Sequence, residues 1–200
     1  MTVGGLSLND HNSIARERVE ESGLHAVESQ APLHLVTTHG QLKIHTASYR
    51  GSFSVVLSDS LRAAGLGSRV LIAQLLKGGV NQGPQNAIEL CGRLEWIRPA
   101  INSCLTEKAN KINSEELAEE EFAAINEIWE ACKKRLFENT VDLMVIDEVG
   151  IAIEMGLIEE NEVIAAIQTR PTTTDLILTG PYIPSQIMEM ADQVTKLRCS

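Results

Sequence analysis

The hydrophobic pattern changes its period several times between residues 41 and 198. Short apolar or alternating runs predict strands at "QLKIHTA", "RVLIAQLL", "RLEWIR", "VDLMVIDEVG", "DLILTG" and "QVTKLR". Helical spacing of apolar residues predicts helices at "SVVLSDSLRAAG", "GPQNAIELCG", "NEVIAAIQTR" and "PSQIMEMA". Alternating strands and helices are typical of an α/β domain with a mostly parallel sheet covered on both faces.

The longest amphipathic segment is "NSEELAEEEFAAINEIWEACKKRLFEN". Its apolar residues recur at spacings of four and three, which predicts one helix with a buried face. Ser114 is the predicted N-cap, and acidic residues follow it at the positive end of the helix dipole. The "EEE" run is therefore interpreted as a solvated face. The predicted buried face consists of Ala118, Phe122, Ile125, Trp129, Cys132 and Leu136.

The first part of the chain differs from the rest. Residues 1–30 are polar and mix both charge signs, which predicts a loosely ordered or weakly helical arm ahead of one domain over residues 31–200. Around His39-Gly40, two β-rich runs predict a hairpin or strand pair. This hairpin would place His34 opposite His45. A metal site there lacks carboxylate or cysteine ligands nearby, so surface histidines are the favoured interpretation.

Charge and cysteine content exclude several classes of protein. A formal charge of -10 opposes a broad nucleic-acid-binding face, which needs a basic surface. The four cysteines form no C-x-x-C pair, so we expect reduced thiols in a cytoplasmic protein. Neither a signal peptide nor a membrane-spanning run is evident, so we expect a soluble chain without a membrane partner.

The stretch "HTASYRGSF", residues 45–53, has the outline of a phosphate-binding loop between a strand and a helix. Such a loop needs small residues around the phosphate, a lysine that neutralises it and a hydroxyl that helps hold magnesium. Gly51 is in place, but Tyr49 stands where a small residue belongs. Ser52 occupies the lysine position and Phe53 the hydroxyl position. An ordinary strand-to-helix turn is the alternative. The candidate phosphate-binding residues are Thr46, Ser48, Arg50, Gly51, Ser52 and Ser54.

Asp147 and Glu148 directly follow the apolar run "LMVI". Carboxylates at the end of a buried strand can bind magnesium, directly or through water, next to a phosphate loop. Acidic residues that cap a helix starting near Val149 are an equally physical explanation. The residues themselves leave these two interpretations open.

The segment from Asp142 to Arg198 resembles the ATP:corrinoid adenosyltransferases of the P-loop class. The similarity extends to "LRAAGLGSRVLIAQLLKGG", with Lys77 and Gly78, and covers residues 41–198. An ordered set of motifs is more specific than any one of them. The matching positions are Asp147, Glu148, Arg170, Pro171, Thr179, Gly180, Ala191, Asp192, Val194, Thr195 and Arg198.

This resemblance implies a P-loop NTPase-like three-layer α/β sandwich that forms a homodimer. The implied reaction transfers the 5′-deoxyadenosyl group of ATP to the cobalt of a reduced corrinoid. Cobalt(I) is the nucleophile, so no side chain is assigned a catalytic role, and the protein positions ATP and stabilises the leaving triphosphate. Residues 46–54 would bind the triphosphate, and Asp147 and Glu148 would bind Mg²⁺. Further site candidates are Lys77, Thr179 and Gly180.

The chain departs from the family pattern where the chemistry is most demanding. A lysine and a hydroxyl are missing from the loop, and Pro84 and Pro181 replace an acidic residue and an arginine common in relatives. Losing one preorganised charge contact costs about 3 kcal/mol. The chain is therefore expected to be an adenosyltransferase with a divergent phosphate grip. The alternatives are a non-catalytic relative that binds a corrinoid, a nucleotide or a protein, and a structural module.

Overall fold

The computed structural model describes residues 39–51, 53–105 and 119–198. The predicted arm over residues 1–30 lies outside them, so its boundary stays a prediction. The elements in chain order are β1 (Leu42–Ala47), α1 (Phe53–Gly65), β2 (Val70–Gln74), β3 (Ile88–Leu90), β4 (Leu94–Ile97), α2 (Glu119–Phe137), β5 (Leu143–Asp147), α3 (Val149–Glu154), α4 (Glu160–Thr169), β6 (Asp175–Thr179), α5 (Ser185–Glu189) and β7 (Gln193–Leu197).

Seven strands in the described part of the chain form one sheet in the order β3-β4-β2-β5-β6-β1-β7. Only β3 runs antiparallel to its neighbour, and every other pair is parallel. The predicted α/β fold with a mostly parallel sheet is confirmed. The carboxyl ends of the parallel strands therefore meet along one edge, which is where ligands bind in such sheets.

The position of β1 overturns the predicted hairpin. This strand pairs in parallel with β6 on one side and β7 on the other, so neither edge accepts an antiparallel partner. His34 lies outside the described residues, so its predicted place opposite His45 stays a prediction. Carboxylates hold the start of the strand, because Asp192 accepts a hydrogen bond from the Leu42 amide at 2.7 Å.

Two further local predictions are wrong. The segment predicted as a short helix before β4 contains β3, which forms a hairpin with β4. Cys91 and Gly92 both have positive φ, 53° and 69°, the conformation that tight hairpin turns require. In α2, Phe122 is 47% exposed, although the rest of the described apolar face is buried. The predicted N-cap Ser114 lies outside the described residues.

The core has two parts, one on each face of the sheet. Strands β2 and β5 are buried along their whole length because strands flank them and helices cover them. Alternate residues serve opposite faces: Val70 and Ile72 pack with α1, whereas Leu71 and Ala73 join the cluster of α2, α3, α4 and α5. The result is a three-layer arrangement. Within the described ranges, no helix has the length and apolar character needed to cross a bilayer.

Candidate functional site

The carboxyl ends of four adjacent strands bring the candidate residues to one edge of the sheet. The register places Asp147 of β5 beside Gln74 of β2 and Thr179 of β6. Thr179 in turn lies beside His45 of β1, which leads into the candidate loop. The two stretches predicted to share an edge, residues 45–54 and 147–148, therefore do so.

An ion pair joins the candidate loop to β5. Arg50 donates from Nε and Nη2 to the two carboxylate oxygens of Glu148, and from Nη1 to the Leu105 carbonyl at 2.6 Å. The Glu148 side chain is 2% exposed and that of Arg50 25%. The hydrogen bonds to Glu148 raise the pKa of the Arg50 guanidinium above its ordinary value. All three nitrogens of Arg50 thus hold the loop against the rest of the site.

The backbone of Glu148 has an unusual conformation. Glu148 occupies the N-cap position of α3 with φ 67° and ψ 27°, in the left-handed region, and makes no capping hydrogen bond. The capping interpretation of this residue is therefore wrong. Its amide donates to the Thr179 carbonyl at 2.8 Å. Gly180, with φ 110°, permits the close approach, because a Cβ there would lie 2.9 Å from the Glu148 Cα.

Asp147 is buried and saturated with hydrogen bonds. Its Oδ2 accepts from the Gln74 amide and the Lys77 ammonium, each at 2.7 Å, and its Oδ1 accepts from the Thr179 hydroxyl. Lys77 and Thr179, both candidates from the resemblance, therefore contact Asp147 directly. Two cations, Arg50 and Lys77, balance two carboxylates, so the formal charge of this group is zero.

An aromatic platform that the sequence did not indicate supports this group. Gln74 accepts hydrogen bonds from Trp96 and Arg98 at 3.1 and 2.8 Å. The Phe53 ring lies 5.7 Å from that of Trp96, and Lys77 Nζ lies 5.3 Å from the centre of the Phe53 ring. A signal was available for Gln74, because it is the polar end of an apolar strand, as Asp147 is.

Thr46 and Ser48, two hydroxyl residues of the candidate loop, face a pocket and not the acidic pair. Thr46 and Ser48 line a pocket of about 640 Å³ between the loop, the segment before α5 and the end of β7. Lys196 and Arg198 bring two positive charges to this pocket. Neither side chain forms an ion pair with another described residue. The remaining lining residues are Ala47, Tyr182, Ile183, Met188 and Leu197.

The other loop candidates are more peripheral. Gly51 is exposed and lies under the Tyr49 ring, since a Cβ there would be 2.7 Å from Tyr49 Cε2. Ser54 is exposed in the first turn of α1. Ser52 lies outside the described residues. The structure thus divides the candidates between Arg50 at the acidic pair and Thr46 and Ser48 at the pocket.

His45 lies beside Thr179 in the sheet, one residue before Thr46. Burial lowers the pKa of its imidazole below the ordinary 6.5. Its Nδ1 is buried and has no hydrogen-bond partner among the described residues. Its carbonyl accepts from the Gly180 amide at 3.1 Å. Burial therefore favours the neutral form of this imidazole.

Some residues that carry the resemblance form hydrogen bonds with the backbone away from the candidate loop. Asp192 caps the start of β1, and Arg170 donates from Nη1 to the Ile167 carbonyl at the end of α4, at 2.7 Å. Pro181, one of the departures, is buried, and its carbonyl would lie 2.3 Å from a Cβ at Gly150. Asp192 and Arg170 lie at the amino ends of the strands, before β7 and β6, whereas Pro181 follows β6 at the carboxyl edge.

The chain is similar to one group of proteins over most of its length. The family model described as ATP:corrinoid adenosyltransferase BtuR/CobO/CobP matches residues 38–200. A corrinoid adenosyltransferase of Escherichia coli is 26% identical over 159 residues, which are 80% of this chain and 76% of that protein. The corrinoid adenosyltransferase CobA of Salmonella typhimurium is 27% identical over the same shares. One from Pseudomonas aeruginosa is 26% identical over 91% of this chain and 85% of its own length.

Proposed function

Because this chain belongs to the ATP:corrinoid adenosyltransferase family, we propose that it transfers the 5′-deoxyadenosyl group of ATP to the cobalt of a reduced corrinoid. The observation that carries this proposal is the pocket beside the loop after β1. It combines hydroxyls, two cations and apolar side chains at the edge where parallel sheets bind ligands. Its volume lies within the usual range for ligand pockets.

The pocket suits the two halves of a nucleotide. Lys196 and Arg198 would offset the charge of a triphosphate, whereas Arg50 and Lys77 are already paired with Glu148 and Asp147. Ile183 and Met188 supply apolar surface of the kind that packs against a purine ring. The ATP expected from the family would therefore lie mainly along β7.

In the proposed step, cobalt(I) of the corrinoid substrate donates an electron pair to C5′ of ATP, and a cobalt–carbon bond forms. The bond between C5′ and the triphosphate oxygen breaks, and its electron pair leaves with the triphosphate. The protein orients ATP, excludes water and stabilises the leaving charge. Because a lysine and a hydroxyl are missing at Ser52 and Phe53, we expect transfer about 10⁴-fold slower than with a complete loop.

A single-turnover assay with excess protein tests the proposal. Cob(I)alamin and ATP are mixed under strict reduction, and formation of the light-sensitive alkylcobalt product is followed by absorbance. We expect product with the wild type and a loss of about tenfold or more in Lys196→Gln/Arg198→Gln. The matched control is Arg62→Gln/Lys134→Gln, which removes two exposed positive charges from helices elsewhere. No product at any protein concentration would refute transfer.

A second candidate function has an observation of its own. Arg50 and Lys77 already occupy the two carboxylates, so the loop is held closed on the acidic pair. This arrangement favours a relative that binds a corrinoid or a nucleotide without transferring the adenosyl group. Calorimetry that shows saturable binding of cobalamin or ATP, together with a failed transfer assay, would select this candidate.

Two organisational features belong to the same proposal. Family membership supports a homodimer, which light scattering would detect as twice the mass of one chain. The polar composition of residues 1–30 supports an arm that folding of the domain does not need. A chain of residues 31–200 should therefore unfold at the same denaturant concentration as the full protein.

A further inference from the structure

We propose that this site works without a divalent cation, and that Arg50 and Lys77 carry the two positive charges that a magnesium ion would bring. Magnesium needs accessible oxygen ligands in near-octahedral geometry. The residues at the acidic pair do not fit this requirement, for three separate reasons. The part of the inference that concerns ATP rests on the proposed function.

The first reason is the state of Glu148. Both of its carboxylate oxygens accept hydrogen bonds from Arg50, and the side chain is 2% exposed. A metal ion at this carboxylate would have to displace the guanidinium. Displacement is opposed further because Arg50 also donates to the Leu105 carbonyl at 2.6 Å. Bidentate pairs of this kind are among the strongest hydrogen-bonded contacts in proteins.

The second reason is the state of Asp147. Donors from Gln74, Lys77 and Thr179 approach its two oxygens, and the side chain is 3% exposed. Lys77 Nζ lies 2.7 Å from Oδ2. A divalent ion at the same carboxylate would therefore stand within a few ångströms of an ammonium group, and the repulsion between like charges opposes its binding.

The third reason is the missing hydroxyl. The resemblance puts the magnesium-binding serine or threonine at the position of Phe53, whose ring offers no oxygen ligand. This ring packs against Trp96, with Lys77 at 5.3 Å from its centre. The substitution thus builds an apolar support for the cation that replaces the metal. Thr46 and Ser48, the nearby hydroxyls, face the pocket beside β7.

Charge balance follows from these contacts. Two side-chain cations and two carboxylates give a neutral group, so the acidic pair needs no external ion. The magnesium assignment for Asp147 and Glu148 stays a prediction from sequence, and this inference competes with it. If ATP binds, its phosphates meet protein cations alone, so Mg²⁺ should not increase the affinity.

Titration with Mn²⁺, followed by electron paramagnetic resonance, tests the exclusion of the ion directly. We expect no saturable binding to the wild type at millimolar Mn²⁺. In Arg50→Gln/Lys77→Gln the carboxylates are released, and binding should become saturable within the same range of Mn²⁺ concentration. The control Arg69→Gln/Lys133→Gln removes the same residue types from ion pairs elsewhere and should resemble the wild type.

Two results would overturn the inference. One is saturable Mn²⁺ binding by the wild type that Glu148→Gln abolishes. The other is a folded Arg50→Gln/Lys77→Gln variant, checked by circular dichroism, that binds no more Mn²⁺ than the wild type, since the two side chains would then not be what excludes the ion.

A second measurement needs no variant. ATP binding to the wild type is compared by calorimetry in EDTA and in Mg²⁺. We expect binding to be no tighter in Mg²⁺, because the ion complexes the phosphates of free ATP and competes with a site that supplies its own cations. Binding about tenfold tighter with Mg²⁺ would overturn the inference. Absence of ATP binding in both conditions would count against the nucleotide part of the proposed function, while the Mn²⁺ titration would still decide this inference.

Discussion

The hydrogen bond from Thr179 to Asp147 allows a stability prediction with an internal comparison. Thr179 is fully buried, and its hydroxyl donates to a charged carboxylate. Thr174 is 1% exposed, and its hydroxyl donates to the neutral Val141 carbonyl at 3.2 Å. Valine nearly preserves the volume of threonine at both positions, so the two replacements differ mainly in which acceptor loses its hydrogen bond.

The acceptor sets the size of the effect. A hydrogen bond to a charged group contributes about 1.5–3 kcal/mol and one to a neutral group about 0.5–1.5 kcal/mol. Thr179→Val should therefore lower the free energy of unfolding by about 1 kcal/mol more than Thr174→Val. In an Asp147→Asn background the acceptor is neutral, so the cost of Thr179→Val should fall towards that of Thr174→Val.

Equilibrium unfolding in urea at pH 7 measures all of these variants. The midpoints can be compared directly if the slopes agree. A cost of Thr179→Val equal to or below that of Thr174→Val would refute the idea that this hydroxyl stabilises a buried charge. So would a cost that stays the same in the Asp147→Asn background.

Three further predictions concern other parts of the molecule. Gly150→Ala should destabilise the fold by about 3 kcal/mol or more, because its Cβ would lie 2.3 Å from a backbone carbonyl oxygen. Gly65 has open space around it, so Gly65→Ala should stabilise the fold by about 0.5–1 kcal/mol. Similar urea midpoints for the two variants would contradict this. Burial raises the pKa of Cys132 to about 12, so iodoacetamide should label exposed Cys91 in the native protein and Cys132 only after unfolding, as peptide mass spectrometry would show. The pKa of His45 is lowered in the folded protein, so near pH 6.5 the unfolded chain takes up a proton that the folded chain does not. The free energy of unfolding should therefore fall as the pH drops below 6.5, and His45→Gln should reduce this loss in urea titrations. An unchanged pH profile in the variant would contradict this explanation.

The order of strands and helices could be predicted from sequence because their periods are local. The run "LMVI" is apolar throughout since β5 has strands on both sides and helices on both faces. The partners of β1 could not be predicted, because they lie more than a hundred residues away. A short run next to Gly92 gave no reliable period, and the helix predicted there is a hairpin strand.

The sequence predicts where the site lies but not which side chains contact one another there. Strand ends located Asp147, Glu148 and the loop at one edge. The partner of Arg50 depends on where the loop folds in three dimensions, so the sequence does not reveal that this candidate phosphate-binding side chain pairs with Glu148. Gln74 ends its strand as Asp147 does, but only the fold shows that its amide donates to that carboxylate.

The place of β1 between β6 and β7 determines when the sheet can close during protein synthesis. The Leu42 amide is bonded to Asp192, which the ribosome adds 150 residues later. Until β6 and β7 emerge, β1 has open edges on both sides, and such edges attract other chains. A nascent chain that stalls before β7 is therefore exposed to aggregation and proteolysis, and its first strand waits longest for its partners.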